Sequence, residues 1–214
     1  MKYSTSTFSI LGVDKKNNKI GVASASCVIG IGGRVQFFRP QIGIAITQHI
    51  DMSNIANKIL EEICLGNDLA SAIKISVESY PEKSLRQVAA IDFSGNIESF
   101  TGEECTAIRS SFRTDNFYFI GNTLSSDFSS LFKEKIISID NNKSLSENLL
   151  YLLNVFNELG ADKRGCESAA LLVVPFEIQG WESQVVNLRI DYSQKPVFDL
   201  INLYKLWSKR FGFQ

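Results

Sequence analysis

Strand-like segments in this chain come in adjacent runs, with helical segments in pairs between them, and this order restricts the fold more than any single motif does. Thr5 to Asp14 is rich in β-branched and apolar residues, Lys15-Lys16-Asn17-Asn18 is a polar turn, and Lys19 to Ile31 resumes in small and β-branched residues. That pattern predicts a hairpin. Gln41 to Gln48 predicts a third strand. Asp51 is the expected cap of a first helix, with Ile55, Ile59, Leu60 and Ile63 as its apolar stripe and Gly66-Asn67 as its stop. Asp68 caps a second helix that runs up to Pro81. Leu85 to Phe93 and Ile97 to Thr101 form another hairpin about Ser94-Gly95-Asn96, and Phe117 to Ile120 is a short strand ended by Gly121-Asn122. Helices are expected near 127–137 and 144–158, strands at 168–174 and 185–190, and a last helix from Pro196 to about Lys209.

Antiparallel runs with paired helices fit an α+β layered architecture better than a βαβ parallel sheet. The continuous apolar run Ala169-Ala170-Leu171-Leu172-Val173-Val174 needs cover on both of its faces. No internal repeat, Pro-rich linker or low-complexity segment divides the chain, so one domain is expected.

Charge and rare residue types exclude several functions. Lys plus Arg number 22 against 23 for Asp plus Glu, a net charge of −1, and no basic run exceeds Lys15-Lys16 or Lys209-Arg210. Nothing there draws the chain to nucleic acid or to an anionic membrane, so neither is expected as a partner. His49 is the one histidine, which rules out any two-histidine metal site. The four cysteines, Cys27, Cys64, Cys105 and Cys166, form no C-x-x-C pair, so zinc ribbons and thioredoxin-like sites are out. Met1 to Ser6 leads into too short an apolar run for a signal peptide, and no stretch of about 18 apolar residues occurs, so a cytoplasmic protein with reduced thiols is expected. Gly30, Gly32 and Gly33 fail the G-x-G-x-x-G spacing and are a flexible corner.

The segment T-F-S-I at 7–10, G-V-A-S-A-S at 21–26, A-I-T-Q at 45–48 and L-R-Q-V-A-A-I-D at 85–92 resemble the bacterial family called domain of unknown function 1028. So do F-T-G-E-E-C at 100–105, I-G-N at 120–122 and D-K-R-G-C-E-S-A-A-L-L-V-V at 162–174, in the same order along the chain from Thr7 to about Asp199. That family looks like a relative of the N-terminal nucleophile (Ntn) hydrolases. The resemblance implies a four-layer αββα sandwich, two antiparallel sheets flanked by helices, and a hydrolytic reaction class without a defined substrate.

Ntn chemistry uses a Thr, Ser or Cys at residue one, whose own α-amine is the general base. With an ordinary pKa of about 7.7–8.0 that amine is partly neutral near pH 7, so the mechanism needs no histidine. In the family the T-F-S-I threonine commonly follows the initiator Met. Here it is Thr7, behind the extension 1–6, and bulky Lys2 disfavours simple Met removal, so the Ser6–Thr7 bond must be cut, by self-processing or by a protease. Residues 7–214 would then form the working domain.

The resemblance makes Thr7 the candidate nucleophile; the alternative is an ordinary strand threonine. Asn122 is either an oxyanion donor or the end of a Gly-Asn turn, with Gly121 admitting substrate to the backbone. Ser9 and Ser26 share a face with the nucleophile or line the cleft, and Gln48 ends the third strand where a polar side chain meets substrate. Asp162 and Arg164 match a D-x-R-G element and either position substrate or pair with each other, Ser168 follows them, and Arg39 is placed to stabilise charge. Glu167 stands where glutamine is more familiar. His49, Cys27 and Cys166 read as structural, while Cys105 matches the family with no histidine near it in sequence. Tyr204, Trp207, Phe211 and Phe213 have roughly helical spacing and form a packing face, which suits a homodimer. The expected activity is an amidase-like hydrolase of a small molecule or short peptide, with no metal and no cofactor. The rival is a non-catalytic binding or scaffold protein with Thr7 unprocessed.

Overall fold

The computed structural model of the chain describes residues 4–5, 7–50, 54–105, 108–126, 128–140, 142–177 and 185–211. Ser6, Asp51 and Phe213 lie outside them, as does position 127, where the third helix is expected to begin. The strands are β1 (Ser4–Thr5), β2 (Thr7–Asp14), β3 (Lys19–Ser26), β4 (Gln36–Arg39), β5 (Gly43–Ile50), β6 (Arg86–Asp92), β7 (Ile97–Thr101), β8 (Ser110–Arg113), β9 (Phe117–Asn122), β10 (Ser168–Pro175) and β11 (Val186–Ile190). The helices are α1 (Ile55–Cys64), α2 (Leu69–Glu78), α3 (Ser129–Ile137), α4 (Leu145–Glu158) and α5 (Pro196–Phe211).

Two antiparallel sheets and these five helices make an α+β fold. One sheet has the order β1-β5-β6-β7, with β4 also paired to β5, and the other has the order β11-β10-β3-β2-β9-β8. Local chemistry sets the ends of the elements. The Asp68 carboxylate accepts the Ser71 amide proton at 2.9 Å and starts α2. Ser144 and Glu147 cap α4 reciprocally. Gly43, by contrast, is forced by packing, because a Cβ there would lie 2.4 Å from the Ile91 carbonyl oxygen.

Side-chain alternation sorts the apolar residues into three clusters. Leu11, Val13, Ile20, Val22, Ile44, Ile46, Ala89, Ile91, Ala170 and Leu172 come together from strands of both sheets. The opposite face of the six-stranded sheet, through Phe8, Ile10, Phe119, Ala169 and Leu171, packs on Phe132, Leu149, Phe156 and Leu200 of α3, α4 and α5. Ala45, Val88 and Ala90 of the other sheet pack on Ile55, Ile59, Leu69 and Ile73 of α1 and α2. The run at 169–174 is therefore covered on both faces, as its lack of alternation requires.

The chain changes sheets at its beginning. Ser4 and Thr5 pair with Ile50 and His49 of β5, whereas Thr7 opens β2 in the centre of the six-stranded sheet. No described helix is long and apolar enough to cross a membrane.

Candidate active site

The surface shared by the two sheets changes character along the strands. It is apolar from Leu11, Val22, Ile46 and Ala89 onward, and polar at the Thr7 end, where Thr7, Ser9, Ser24, Ser26, Gln48, Gln87, Asn122 and Ser168 are all 0% exposed. Register explains how residues so far apart in sequence form one group. Ser168 lies opposite Ser26, Ser26 opposite Thr7, and Thr7 opposite Asn122, a polar row across β10, β3, β2 and β9. From the facing sheet, Gln48 lies opposite Gln87 and Gln87 opposite Thr101.

Hydrogen bonds join the two rows. The Thr7 hydroxyl donates to Ser26 Oγ at 3.2 Å, the Ser9 hydroxyl donates to Gln48 Oε1 at 2.9 Å, and Ser9 and Ser24 share a bond of 2.8 Å. Gln48 Nε2 donates to Gln87 Oε1 at 2.7 Å and to the Thr7 carbonyl at 3.4 Å. Gln87 is the hub that the sequence reading missed. Its Oε1 also accepts from Asn122 Nδ2 at 3.0 Å, and its Nε2 donates to the Gly121 carbonyl at 3.1 Å and to Thr101 Oγ1 at 3.2 Å. The signal was present: Gln87, Ala89 and Ile91 alternate on one strand face, as Gln48 does with Ile46 and Ile44. Replacing Gln87 with leucine removes its buried hydrogen bonds to Gln48, Asn122, the Gly121 carbonyl and Thr101, and is expected to cost about 2–3 kcal/mol. A urea unfolding midpoint checks this.

The remaining candidates fall into three groups. Asp162 is 3% exposed, and its carboxylate accepts from the Cys27 amide at 3.0 Å and the Arg164 amide at 2.9 Å. It therefore clamps the backbone directly after Ser26. Arg164 stands at the rim, its side chain 45% exposed and its Nε 3.9 Å from Asp162. Ser168 accepts from the Ile31 amide at 3.2 Å and donates to the Val28 carbonyl at 2.5 Å, tying down the loop after β3.

Arg39 does not join them. It is exposed on β4 opposite Gly43, five residues along β5 from Gln48, or about 17 Å at strand rise. The expectation that it sits beside the nucleophile is corrected by that register, which places it at the other end of the sheets. Gly121 is also placed differently. Its α-carbon faces the helix-side core, where a Cβ would lie 2.8 Å from Leu124 Cδ2, so the missing side chain serves packing, and its carbonyl meets Gln87.

Electrostatics at this end disfavour thiol and imidazole chemistry. Burial, with Asp162 and Cys27 adding to it, pushes the Cys166 thiol up to about 12, and burial raises Cys105 as well. His49 is 3% exposed, its Nδ1 is 2.8 Å from the Leu85 carbonyl, and burial holds its pKa below the usual imidazole range. Among the described residues, no three His, Cys, Asp or Glu side chains are grouped to hold a metal ion. What the arrangement offers is hydroxyls and carboxamides, which bind and polarise a neutral amide or carbonyl group.

The profile of a family described as "Family of unknown function (DUF1028)" matches residues 7–200. A crystal structure of a protein from Silicibacter pomeroyi, described as DUF1028, is 27% identical and superposes with a TM-score of 0.82 over 95% of this chain and 89% of that one. Anbu (ancestral beta-subunit) from Yersinia bercovieri is 10% identical, with a TM-score of 0.43 over 97% of each chain, too loose a superposition to bear on function. No curated protein matches the chain.

Proposed function

Taking as premise that this chain belongs to the DUF1028 family, we propose that it is an Ntn-type hydrolase that cleaves an amide-like bond in a small molecule or short peptide. Thr7 is its nucleophile once the Ser6–Thr7 bond is cut. The observation that carries this reading is the position of Thr7: first residue of a central strand, in the polar row, at the step where the chain leaves one sheet for the other. The reading includes a four-layer αββα sandwich, supported by the three apolar clusters. It takes residues 7–214 as one domain, 1–6 as a removable extension, a cytoplasmic setting and a homodimer.

With the α-amine free, Thr7 Oγ1 adds to the substrate carbonyl carbon and its proton passes to that amine. The tetrahedral oxyanion is met by Asn122 Nδ2, which must turn from Gln87 to reach it. Collapse expels the leaving amine, which takes the proton from the Thr7 ammonium, and water then hydrolyses the threonyl ester. Ser26 orients the hydroxyl, and Asp162 holds Ser26 in place through the Cys27 amide. Ser9, Gln48 and Ser168 hold the polar network around Thr7, and the exposed Arg164 meets a substrate carboxylate. The chemistry calls on no metal or cofactor.

Self-processing uses the same hydroxyl. Thr7 Oγ1 attacks the Ser6 carbonyl carbon, the acyl group shifts from nitrogen to oxygen, and water cleaves the ester. The intact mass after a day at neutral pH tests this. Loss of Met1–Ser6, about 0.7 kDa, is expected in the wild type and not in Thr7→Ala. A cut that persists in Thr7→Ala assigns processing to an outside protease, and an uncut wild type contradicts the reading.

One observation favours a second reading, a binding or scaffold protein. Ser4 and Thr5 are laid along β5 and Thr7 is fully buried, so in the continuous chain its nitrogen stays in a peptide bond.

A further inference from the structure

At the end of the six-stranded sheet away from Thr7, the β2–β3 turn, the loop before α4 and the flank of α5 border an open cavity of about 640 Å³. Lys16 in the turn, Lys19 at the start of β3 and Lys143 before the Ser144 cap line it, whereas the side chain of Lys15 runs toward Gly95 in the turn between β6 and β7. The sequence shows no basic run longer than two residues; the fold gathers three lysines from two loops and a strand in a protein of net charge −1. None of the three is ion-paired among the described residues. Asp14 is the one acid in the lining, and its carboxylate is engaged by the Asn17 amide at 3.0 Å and Asn17 Nδ2 at 2.7 Å. Tyr204 and Trp207, stacked with ring centroids 6.2 Å apart, supply an aromatic wall.

Three unpaired lysines around one concavity repel each other, and an anion among them relieves that repulsion. The volume is that of a pocket for a small organic ligand, and an aromatic wall favours one that also has a ring or chain to bury. We propose that this cavity binds a small organic anion bearing at least two negative charges, such as a phosphorylated metabolite. The site is separate from the hydrolytic one, because Val13 in its lining is six residues along β2 from Thr7, about 20 Å away.

Calorimetric titration of the full chain with ADP, pyrophosphate and adenosine tests the proposal. ADP and pyrophosphate are expected to bind saturably and adenosine not. Raising the salt is expected to weaken both anions. The double variant Lys16→Glu, Lys143→Glu changes two exposed side chains, keeps its melting temperature, and is expected to lose at least about tenfold in ADP affinity. Thr7→Ala is expected to bind ADP as the wild type does, so this proposal and the hydrolytic one fail separately. The proposal is overturned by no saturable binding below about 10 mM, far weaker than any useful metabolite site. It is equally overturned by adenosine binding as tightly as ADP, or by unchanged affinity in the double variant.

Discussion

Thr7→Ala is expected to lower hydrolysis of any amide substrate by at least about a thousandfold, to the level left by binding and oxyanion contacts alone. The size follows from what is lost. Threonine supplies the attacking oxygen, and without that oxygen the chain also loses the route that frees its amine. The thiols of Cys105 and Cys166 are pushed toward their protonated forms, and His49 is committed to the Leu85 carbonyl. Stability should change little, since the side chain donates one hydrogen bond to Ser26, worth about 1 kcal/mol. Thr7→Ser keeps the oxygen and is expected to retain measurable turnover. Assays of the three proteins on a panel of fluorogenic aminoacyl amides, beside their melting temperatures, separate lost chemistry from lost fold.

Phe156→Ala carries the largest expected stability effect. The ring is 0% exposed, with centroids 4.8 Å from Phe119, 5.6 Å from Phe132 and 5.8 Å from Phe128. It joins α4 to the face of the six-stranded sheet opposite the polar row. Truncation removes its transfer energy and leaves a cavity among rings too large to collapse into it, so a loss of about 3–5 kcal/mol is expected. Phe198→Ala, 59% exposed on α5, is expected to stay within about 0.5 kcal/mol. Urea midpoints at constant m value distinguish the two.

Local patterns carried much of this fold in the sequence. Asp68 and Ser144 begin helices where a capping residue meets an apolar stripe, and the hairpins turn at Lys15–Asn18 and Ser94–Asn96. Thr5 to Asp14 reads as one strand but is divided between β1 in one sheet and β2 in the other, and β4 and β8 escape notice because they are four residues each on partly exposed edges, too short for a period to emerge. β5 starts two residues later than the apolar run suggests, because Gln41 takes φ 63° in the turn before it. Which strands share a sheet was not legible, since β10 pairs with β3 across more than 140 residues of chain. The same limit shaped the site. Thr7, Ser9, Ser26, Gln48 and Asn122 were each readable as polar residues at strand ends. Gln87 carried the same alternation, with Ala89 and Ile91, but its pairing with Gln48 and Thr101 came only from the register, which also took Arg39 from the site.

The most direct test of Thr7 as an N-terminal nucleophile is to treat the purified chain with a β-lactone and locate the adduct by peptide mass spectrometry. Attack by Thr7 Oγ1 opens the lactone ring and leaves an ester that adds the whole mass of the reagent. The expected result is one adduct, on Thr7, in chains that begin at Thr7. Chains that still begin at Met1 with no adduct, or an adduct on a cysteine, would contradict the account.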